Sequence, residues 1–231
     1  MESLQADISQ QQAEVERWTA EQVLRWGLMR FHPQIAVASS FGGEAVVLID
    51  LAARVRPDFR VFTLDTDFLF PETYALIEQI EQRYRIRVER CRSALTPDEQ
   101  ARIYGEALWS REPDRCCELR KVQPLVKKLA ELEAWVTGIR REQAPTRANA
   151  RKLEWDARFA VVKLNPLADW NWAQVWEYIR AHGLLYNPLH DRNYPSIGCT
   201  HCTRRIKPGE DLRAGRWAGF SKTECGLHGK G

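Results

Sequence analysis

The chain has 231 residues, 44% of them hydrophobic and 28% charged, and its 34 Lys and Arg against 31 Asp and Glu give a formal net charge of +3. This composition is typical of a globular protein and excludes a disordered or fibrous one, while so small a charge excess gives no indication of nucleic-acid binding. The longest unbroken apolar run, AVVLI at residues 45–49, is far shorter than the roughly 20 residues that span a bilayer, and the polar opening lacks the features of a signal peptide, so we expect a cytoplasmic protein that does not bind membranes.

The first predicted element is an amphipathic helix at residues 11–30, where Val15, Trp18, Trp26 and Met29 recur among charged residues at roughly helical spacing. After it, short apolar runs that predict strands alternate with longer mixed segments that predict helices. In chain order these elements are strand 35–40, helix 44–55, strand 60–66, helix 71–84, strand 86–91, helices 97–104 and 116–131, strands 134–140 and 161–167, and helix 171–183.

Strands that alternate with helices predict an α/β fold, with a mostly parallel sheet flanked by helices on both faces. Ligands of such sheets bind beyond the carboxyl ends of the strands, so the loops at that edge are expected to carry the chemistry. The last 40 or so residues have no strong periodicity. They predict a loop-rich C-terminal tail attached to a single domain that spans residues 1–231.

Two loops at predicted strand ends have the composition of anion-binding segments. SSFGGE, residues 39–44, lies between a strand and a helix, where free backbone amides and the positive helix end bind phosphate or sulfate. TGIRREQAPTRA, residues 137–148, follows another strand and contains Arg140, Arg141 and Arg147 against Glu142 alone, and arginine suits bidentate contact with such anions. A glycine turn without a ligand and a solvated basic loop are the alternatives that remain open.

Four of the six cysteines fall into two close pairs, CC at 116–117 and CTHC at 199–202. Cytosolic proteins seldom form structural disulfides, so the pairs indicate a tetrahedral zinc site or a 4Fe-4S cluster. Neighbours on a helix point about 100° apart and face a polynuclear centre more easily than one ion. The spacing therefore favours the cluster over zinc, and either over four unliganded core thiols. Lys121 lies one helical turn beyond Cys117 and either faces the same centre or is solvated.

Cys225 stands alone in the glycine-rich tail segment SKTECGLHGKG, residues 221–231. With little apolar surface to pack, this segment is expected to be mobile and its thiol exposed, which suits a chemical role better than a structural one. Residues 203–231 carry seven Lys or Arg against three acidic residues. They form either a site for a small anion or a solvated basic tail.

Together these motifs resemble those of the assimilatory adenylylsulfate reductases, the iron-sulfur branch of the phosphoadenylylsulfate reductase family. The likeness runs from residue 39 to residue 228. It rests on CCELRKVQPL, GCTHC, GEDLRAGRW and KTECGLH, and on SSFGGE, LDTDFLFPETY and TGIRREQAPTR in the nucleotide region. The resemblance implies an adenine nucleotide alpha hydrolase-like fold, with a nucleotide-binding core at approximately 30–195. Residues from approximately 196 to 231 would then supply the second half of the cluster site and a mobile catalytic tail.

The resemblance also implies a function, the thioredoxin-dependent reduction of adenosine 5'-phosphosulfate to sulfite and AMP in sulfate assimilation and cysteine biosynthesis. Cys225 would be the nucleophile that forms an S-sulfonate, and Cys116, Cys117, Cys199 and Cys202 would hold a 4Fe-4S cluster with Lys121 beside it. The substrate-binding residues implied are Ser39, Ser40, Gly42, Gly43 and Glu44 at the phosphate end, Leu64, Asp65 and Thr66 by the adenosine, Arg140, Arg147, Arg213 and Arg216 against the phosphosulfate charge, and His228. Whether the chain assembles with copies of itself is left open.

The chain departs from the family pattern at LDTD, where the family often has LDTG, and at Phe68, where it often has Arg. Asp67 lacks the conformational freedom of glycine at that turn, and one cationic contact is expected to be missing. The spacer AGFS before KTEC is also shorter than usual. Two other functions remain open, a reductase that prefers the 3'-phosphorylated nucleotide, whose clusterless members lack CC and CxxC, and a metal-binding module without turnover.

Overall fold

The structure is a computed structural model that describes residues 2–220, 222 and 224–227. The chain begins with two helices, α1 (Glu2–Val15) and α2 (Ala20–Phe31), so the prediction of one helix at 11–30 is wrong. Thr19 separates them because it caps α2: its hydroxyl accepts from the Gln22 amide at 3.2 Å, and the Gln22 side chain accepts from the Thr19 amide at 2.8 Å. This reciprocal pair is a capping box, which starts a new helix inside a segment whose apolar spacing continues across the break.

Six strands form one sheet in the order β3-β2-β1-β4-β6-β5, parallel throughout except for the antiparallel edge pair β5 and β6. The strands are β1 (Ile35–Ala38), β2 (Arg60–Asp65), β3 (Val88–Arg92), β4 (Ala134–Val136), β5 (Leu153–Asp156) and β6 (Val161–Leu164). The mostly parallel sheet confirms the predicted fold class. Strand β5 is missing from the prediction because LEWD buries only Leu153 and has no apolar run.

Helices cover both faces of this sheet. Beyond α2 they are α3 (Gly43–Val55), α4 (Pro71–Tyr84), α5 (Pro97–Tyr104), α6 (Leu108–Arg111), α7 (Pro113–Cys117), α8 (Gln123–Leu129) and α9 (Trp172–Ala181). A π-helical turn, Glu118–Val122, joins α7 to α8, and in it the Gln123 amide bonds to the Glu118 carbonyl five residues back. Pro124 has no amide hydrogen for the carbonyl of Arg120, so regular α-helical bonding is interrupted within the predicted helix 116–131.

The core lies on both sides of the sheet, as the alternation of side chains along the central strands shows. On one face Val37, Val61 and Val136 join the larger buried cluster with α2, α3 and α9. On the other face Phe62 and Trp135 join a smaller cluster with α8. Adjacent residues of a strand point to opposite faces, so the short strands β1 and β4 serve both clusters. Among the described residues, no helix combines the length and apolar character needed to cross a bilayer.

The order of the strands determines where a site can form. From β1 the chain first adds β2 and β3 on one side and then crosses to add β4 on the other side of β1. The loops after β1 and β4 therefore leave the sheet from neighbouring strands in diverging directions, which opens a crevice at their carboxyl ends. These are the loops that contain SSFGGE and TGIRREQ. After α9 the chain forms only two short 3-10 turns, Pro188–Arg192 and Thr200–Cys202, among its described residues, which confirms the loop-rich character of the tail.

Replacing Asp50 with alanine should destabilise the fold by about 2–4 kcal/mol. The Asp50 carboxylate on α3 accepts hydrogen bonds from the hydroxyls of Tyr84 (3.0 Å) and Tyr178 (2.8 Å) and from Arg54 Nε (2.8 Å). It thereby joins α3 to α4 and α9, and its removal leaves two tyrosine hydroxyls unpaired. Urea unfolding at an unchanged m-value measures the loss. The matched variant Asp58→Ala, at an exposed carboxylate, should change stability by less than about 0.5 kcal/mol, and equal losses would contradict the assignment.

Candidate active site

A cavity of about 270 Å³ opens at the carboxyl ends of β1, β2 and β4, close in size to the smaller of the roughly 300–1,000 Å³ sites that bind small molecules. It brings together loops that are far apart in the sequence, the segment after β1, the end of β2, the arginine loop after β4, and the C-terminal tail. Its lining includes Ser39, Ser40, Gly42, Glu44, Leu64, Thr66, Arg140, Arg147, Arg213, Arg216 and Cys225, all of them predicted site residues. His228 lies outside the described residues.

One side of this main cavity is apolar. It is formed by Phe62 and Leu64 of β2, Trp135 of β4, Leu125 of α8 and Leu227 of the tail. Of these the sequence analysis identified only Leu64. The others appear in the sequence as ordinary core residues, because the side chains that line a cavity beneath a sheet edge have the same apolar pattern as those that fill a core.

Cys225 is half-buried and borders the main cavity, whereas the sequence predicts an exposed thiol. It lies close enough to Lys121 for the thiolate to contribute to raising the pKa of that lysine, against the opposing effect of burial. Arg213 is also within electrostatic reach of the same sulfur. The thiol therefore lies on the lining of the main cavity with cationic side chains close to it.

Two predicted substrate residues do not line the cavity. The Asp65 carboxylate is fully buried, and it accepts from Tyr74 Oη at 2.7 Å and from Arg92 Nε at 2.9 Å and Nη2 at 2.7 Å. Its chain neighbours Leu64 and Thr66 line the cavity instead. Gly43 begins α3, and a side chain there would contact Trp172 and Val175 of α9 at 3.4 Å, so its small size serves helix packing.

The Asp65 ion pair predicts a pH dependence of stability. Burial alone would raise the pKa of Asp65, but the hydrogen bonds from Tyr74 and Arg92 lower it on balance. Because its folded-state pKa lies below the unfolded value of about 3.9, the carboxylate stabilises the fold above that pH and loses its contribution as the pH falls through the folded pKa. The difference in unfolding free energy between the wild type and Asp65→Asn should therefore shrink as urea titrations move from pH 7 to pH 3. A constant difference would contradict this.

The guanidinium of Arg140 is held in place by side chains of the two loops for which the sequence predicts anion binding. It is 2% exposed and donates to Glu44 at 2.9 Å and to Glu142 at 2.8 Å, and it lies 5.3 Å from the ring of Trp172. Two carboxylates thus already balance its charge. Glu44 in turn accepts from Gln143 Nε2 at 2.9 Å, so the pair joins the start of α3 to the loop after β4.

Arg216 is differently placed. Its guanidinium stacks over Trp217 at 4.5 Å and donates to the Ile197 carbonyl at 3.3 Å, while its buried Nε has no hydrogen-bond partner in the described part of the chain. No carboxylate among those residues forms an ion pair with it. Arg216 therefore carries a positive charge into the main cavity without an opposing acid, as expected of a group that binds an anionic ligand.

The two cysteine pairs border one smaller cavity, which we call the thiol cavity. Cys116 and Cys117 come from the end of α7, and Cys199 and Cys202 come from the 3-10 turn, which is held to the loop after β2 by a bridge between Leu69 and Cys199. Burial and the neighbouring sulfurs raise the pKa of Cys116 to about 11. Burial also opposes ionisation of Cys199, but Lys121, Thr66 and Arg216 lower its pKa on balance. Several thiolates can share this space only with a positive group among them.

The donor set of the thiol cavity suits a thiolate-bound metal group. Lys121 is buried and borders both the thiol cavity and the main cavity, so of the two alternatives that the sequence left open, the position agrees with a lysine that faces the cysteines and not with a solvated one. Four cysteine sulfurs are the ligand set of iron-sulfur clusters and of structural zinc alike. No group of three or more His, Cys, Asp or Glu within residues 2–220, 222 and 224–227 has an arrangement that could hold a metal ion.

The departures at Asp67 and Phe68 are accommodated by Arg120, which the sequence analysis did not single out. Asp67 adopts the left-handed conformation, with φ of 59°, the region that glycine enters most freely. Arg120 is buried and donates to Asp67 at 2.9 Å and to the Thr66 carbonyl at 3.1 Å, and its guanidinium lies 4.7 Å from the ring of Phe68. A cation from the π-helical turn therefore supports the turn at Asp67 and Phe68.

Aromatic rings close one side of the thiol cavity. His201, between the two cysteines of CTHC, stacks on Trp109 with ring centroids 3.9 Å apart and an interplanar angle of 11°. Phe68 meets the edges of both rings, at 5.5 Å from Trp109 and 4.9 Å from His201. Burial lowers the pKa of His201, which is consistent with an aromatic rather than a charged role for its ring.

Comparison with known proteins identifies close relatives. The family model described as phosphoadenosine phosphosulfate reductase domain matches residues 34–205. The adenosine 5'-phosphosulfate reductase of Halalkalibacterium halodurans is 49% identical over 228 residues, which cover 98% of this chain and 99% of that protein. The protein of the same name from Shouchella clausii is 49% identical over 207 residues, or 89% of this chain and 86% of that one.

Solved structures agree with the fold. A phosphoadenylyl-sulfate reductase from Candida auris, crystallised as a phosphate complex, has a TM-score of 0.74 and 29% identity, over 85% of this chain and 96% of that one. FMN adenylyltransferase from Candida glabrata, in complex with FAD and pyrophosphate, reaches a TM-score of 0.58 at 18% identity, over 87% of this chain and 70% of that one, a likeness of fold alone. The sheet is thus of the adenine nucleotide alpha hydrolase-like type.

Proposed function

The chain belongs to the phosphoadenosine phosphosulfate reductase family, and we propose that it is an oxidoreductase that reduces adenosine 5'-phosphosulfate to sulfite and AMP. The observation that carries the proposal is the position of Cys225, which borders the same cavity as the loop after β1, the arginine loop and Arg216. A nucleophilic sulfur, an anion-binding loop and an apolar wall in one crevice meet the needs of sulfur transfer from a nucleotide. The relatives named adenosine 5'-phosphosulfate reductase support this choice of substrate.

The nucleotide would lie across the crevice between β1 and β4. Its adenine ring would contact the apolar wall formed by Phe62, Leu64 and Trp135, and its phosphate would approach the amides of the Ser39–Gly42 loop before α3. The sulfate end would then face Arg213, Arg216 and the thiol of Cys225. Arg147 would complete the cationic side, whereas Arg140, already paired with Glu44 and Glu142, would serve to hold the two loops.

The first chemical step is attack by the Cys225 thiolate on the sulfur of the substrate. A sulfur-sulfur bond forms, the bond between sulfur and the phosphate oxygen breaks, and AMP leaves with the electron pair of that bond. The product is a cysteine S-sulfonate. Arg213 and Arg216 would stabilise the charge that moves towards the leaving phosphate, as preorganised cations do at other phosphoryl and sulfuryl centres.

The second step transfers two electrons from a dithiol, for which we propose thioredoxin. Its thiolate attacks the sulfur of Cys225, and sulfite leaves with the electron pair of the broken bond, so that a mixed disulfide remains. The second thioredoxin thiol resolves that disulfide, which restores the Cys225 thiolate and leaves oxidised thioredoxin. Sulfur is reduced from the sulfate to the sulfite level and the dithiol is oxidised to a disulfide, so the step balances.

We also propose that the thiol cavity holds a 4Fe-4S cluster on Cys116, Cys117, Cys199 and Cys202. When bound, this group would supply a fixed negative centre beside the main cavity rather than an electron relay, because the dithiol already provides both electrons. Lys121, which borders both cavities, would balance the charge of the thiolates and orient its ammonium towards the anionic substrate.

Iron and acid-labile sulfide in anaerobically purified protein should each be present at about four per chain, whereas one zinc per chain would favour a zinc site.

Steady-state sulfite release tests the reaction and the choice of nucleotide together. Adenosine 5'-phosphosulfate and its 3'-phosphorylated counterpart are compared as substrates, each with reduced thioredoxin. A higher kcat/KM for the nucleotide without the 3'-phosphate is expected, since CC and CxxC distinguish this chain from the clusterless reductases. A preference for the 3'-phosphorylated nucleotide would assign it to the alternative activity, and no sulfite from either would indicate a module without turnover.

A further inference from the structure

Glu224, the residue before Cys225, has its carboxylate bound by side chains of the arginine loop. Arg147 donates to it through two parallel hydrogen bonds, Nε to Oε1 at 2.9 Å and Nη2 to Oε2 at 2.8 Å. Thr146 Oγ1 donates to Oε1 at 3.2 Å, and Arg213 Nη2 donates to Oε2 at 3.3 Å. The Glu224 side chain is 17% exposed and that of Arg147 is 11% exposed, so this is a largely desolvated contact and not a surface ion pair.

The geometry of this contact is that of an anion site. A planar guanidinium binds a carboxylate, a phosphate or a sulfate through the same two-pronged arrangement, because each presents two oxygens at similar spacing. Glu224 therefore satisfies Arg147 and Arg213 in the way that an anionic ligand of the main cavity would. Arg216 and Lys121, which border the same cavity, form no ion pair with a carboxylate in the described residues, so the tail's carboxylate occupies only part of the cationic surface.

We propose that Glu224 is a positioning residue that acts as an internal competitor: it fastens the Cys225 segment to Arg147 and Arg213 in the free enzyme, and the anionic end of the bound nucleotide displaces it. The inference rests on the proposed function, since it takes the nucleotide to be the competing anion. Displacement frees the segment to move only when the nucleotide is present. The thiol is held at the cavity wall until substrate arrives, and loss of the Glu224 contact lets Cys225 approach the substrate sulfur first and the external reductant afterwards.

We call the contact of Glu224 with Arg147 and Arg213 the latch. Competition of this kind multiplies the apparent affinity for nucleotide by the fraction of molecules in which the latch is open. Replacing Glu224 with glutamine keeps the shape of the side chain and removes its charge. Cys225→Ser cannot take up the sulfonate, so in that background adenosine 5'-phosphosulfate binding can be measured by calorimetric titration, and adding Glu224→Gln should tighten it about five- to tenfold. The matched control is Glu210→Gln in the same background, which breaks a two-pronged but more exposed pair with Arg204 outside the main cavity, and it should leave that affinity unchanged.

A second measurement uses the thiol itself and needs no turnover. The rate at which iodoacetamide alkylates Cys225 is followed by mass spectrometry of the peptide that contains it, in the wild type, Glu224→Gln and Arg147→Gln without nucleotide. Opening the latch from either side should accelerate alkylation severalfold. A purely electrostatic effect on the thiol would give opposite signs, because the first change removes a negative charge and the second removes a positive one. The double variant should react no faster than the faster single variant.

The outcomes separate the latch from the function. Slower alkylation in Arg147→Gln would overturn the proposal, as would an adenosine 5'-phosphosulfate affinity that Glu224→Gln leaves unchanged or weakens in the Cys225→Ser background. A chain that releases no sulfite but whose two variants both alkylate faster keeps the latch and loses the proposed reaction. An active reductase in which neither variant alkylates faster keeps the reaction and loses the latch.

Discussion

Cys225→Ser is expected to lower sulfite release by about 10³-fold or more, because a serine hydroxyl is not ionised near neutral pH and cannot form the S-sulfonate. Wild-type protein mixed with adenosine 5'-phosphosulfate and no reductant should gain about 80 Da at this residue, the mass of SO₃, and the serine variant should gain nothing. AMP affinity is expected to remain close to that of the wild type, since the variant retains the arginines and the apolar wall.

The control for this experiment is Cys91→Ser. Cys91 lies on β3, is half-buried, and does not border the main cavity or the thiol cavity. Burial raises its pKa, as expected of a thiol that packs as a small apolar side chain, so its replacement should leave turnover unchanged. Normal turnover by Cys225→Ser would rule out the mechanism, as would an 80 Da adduct at any other cysteine.

Lys121→Met should lower kcat by about 10²-fold while the protein remains folded. The ammonium is buried and borders both cavities, and no carboxylate of the described residues forms an ion pair with it. Burial would lower the pKa of Lys121, but Cys199, Cys225 and Cys117 raise it above its usual range, so the group is cationic. Methionine fills the same volume without charge, so the thiolates and the substrate lose the cation between them.

Iron content distinguishes two reasons for such a loss. If Lys121 acts on the substrate, Lys121→Met should retain its iron and sulfide while kcat falls. A parallel loss of iron and activity would mean instead that the lysine is needed to hold the proposed cluster. Lys127→Met changes an exposed lysine on the neighbouring helix α8 and is expected to match the wild type in both measurements.

Periodicity predicted the architecture well where elements are apolar and uninterrupted. Strands β1, β2 and β4 and helices α3 and α4 begin within a residue or two of the predicted positions, because buried elements of a parallel sheet have unambiguous apolar runs. It failed where local chemistry overrides spacing. Thr19 starts a new helix inside one amphipathic pattern, and Pro124 interrupts the helix that follows the paired cysteines. Strand β5 was missed because an edge strand with a single buried residue has no such run.

The site was predictable by residue type but not by contact. The spacing of the cysteines and the position of the two loops indicated which side chains belong together, and the structure places the four paired cysteines on one cavity and Cys225 on the next. The sequence could not indicate that Arg140 is balanced by Glu44, 96 residues away, or that Arg147 binds Glu224, 77 residues away. Charge pairs between distant segments leave no periodic signal, so basic loops look alike whether free or paired.

The π-helical turn at Glu118–Val122 makes the spacing after the paired cysteines intolerant of change. Deleting one residue from it would restore regular α-helical hydrogen bonding. It would also rotate the residues that follow by about 100° about the helix axis. Cys116 and Cys117 would then keep their places while Lys121 turned away from the partition between the two cavities, and Leu125 would leave the apolar wall. The number of residues in this segment, and not only their identity, therefore determines whether Lys121 and Leu125 reach their positions beside the two cavities.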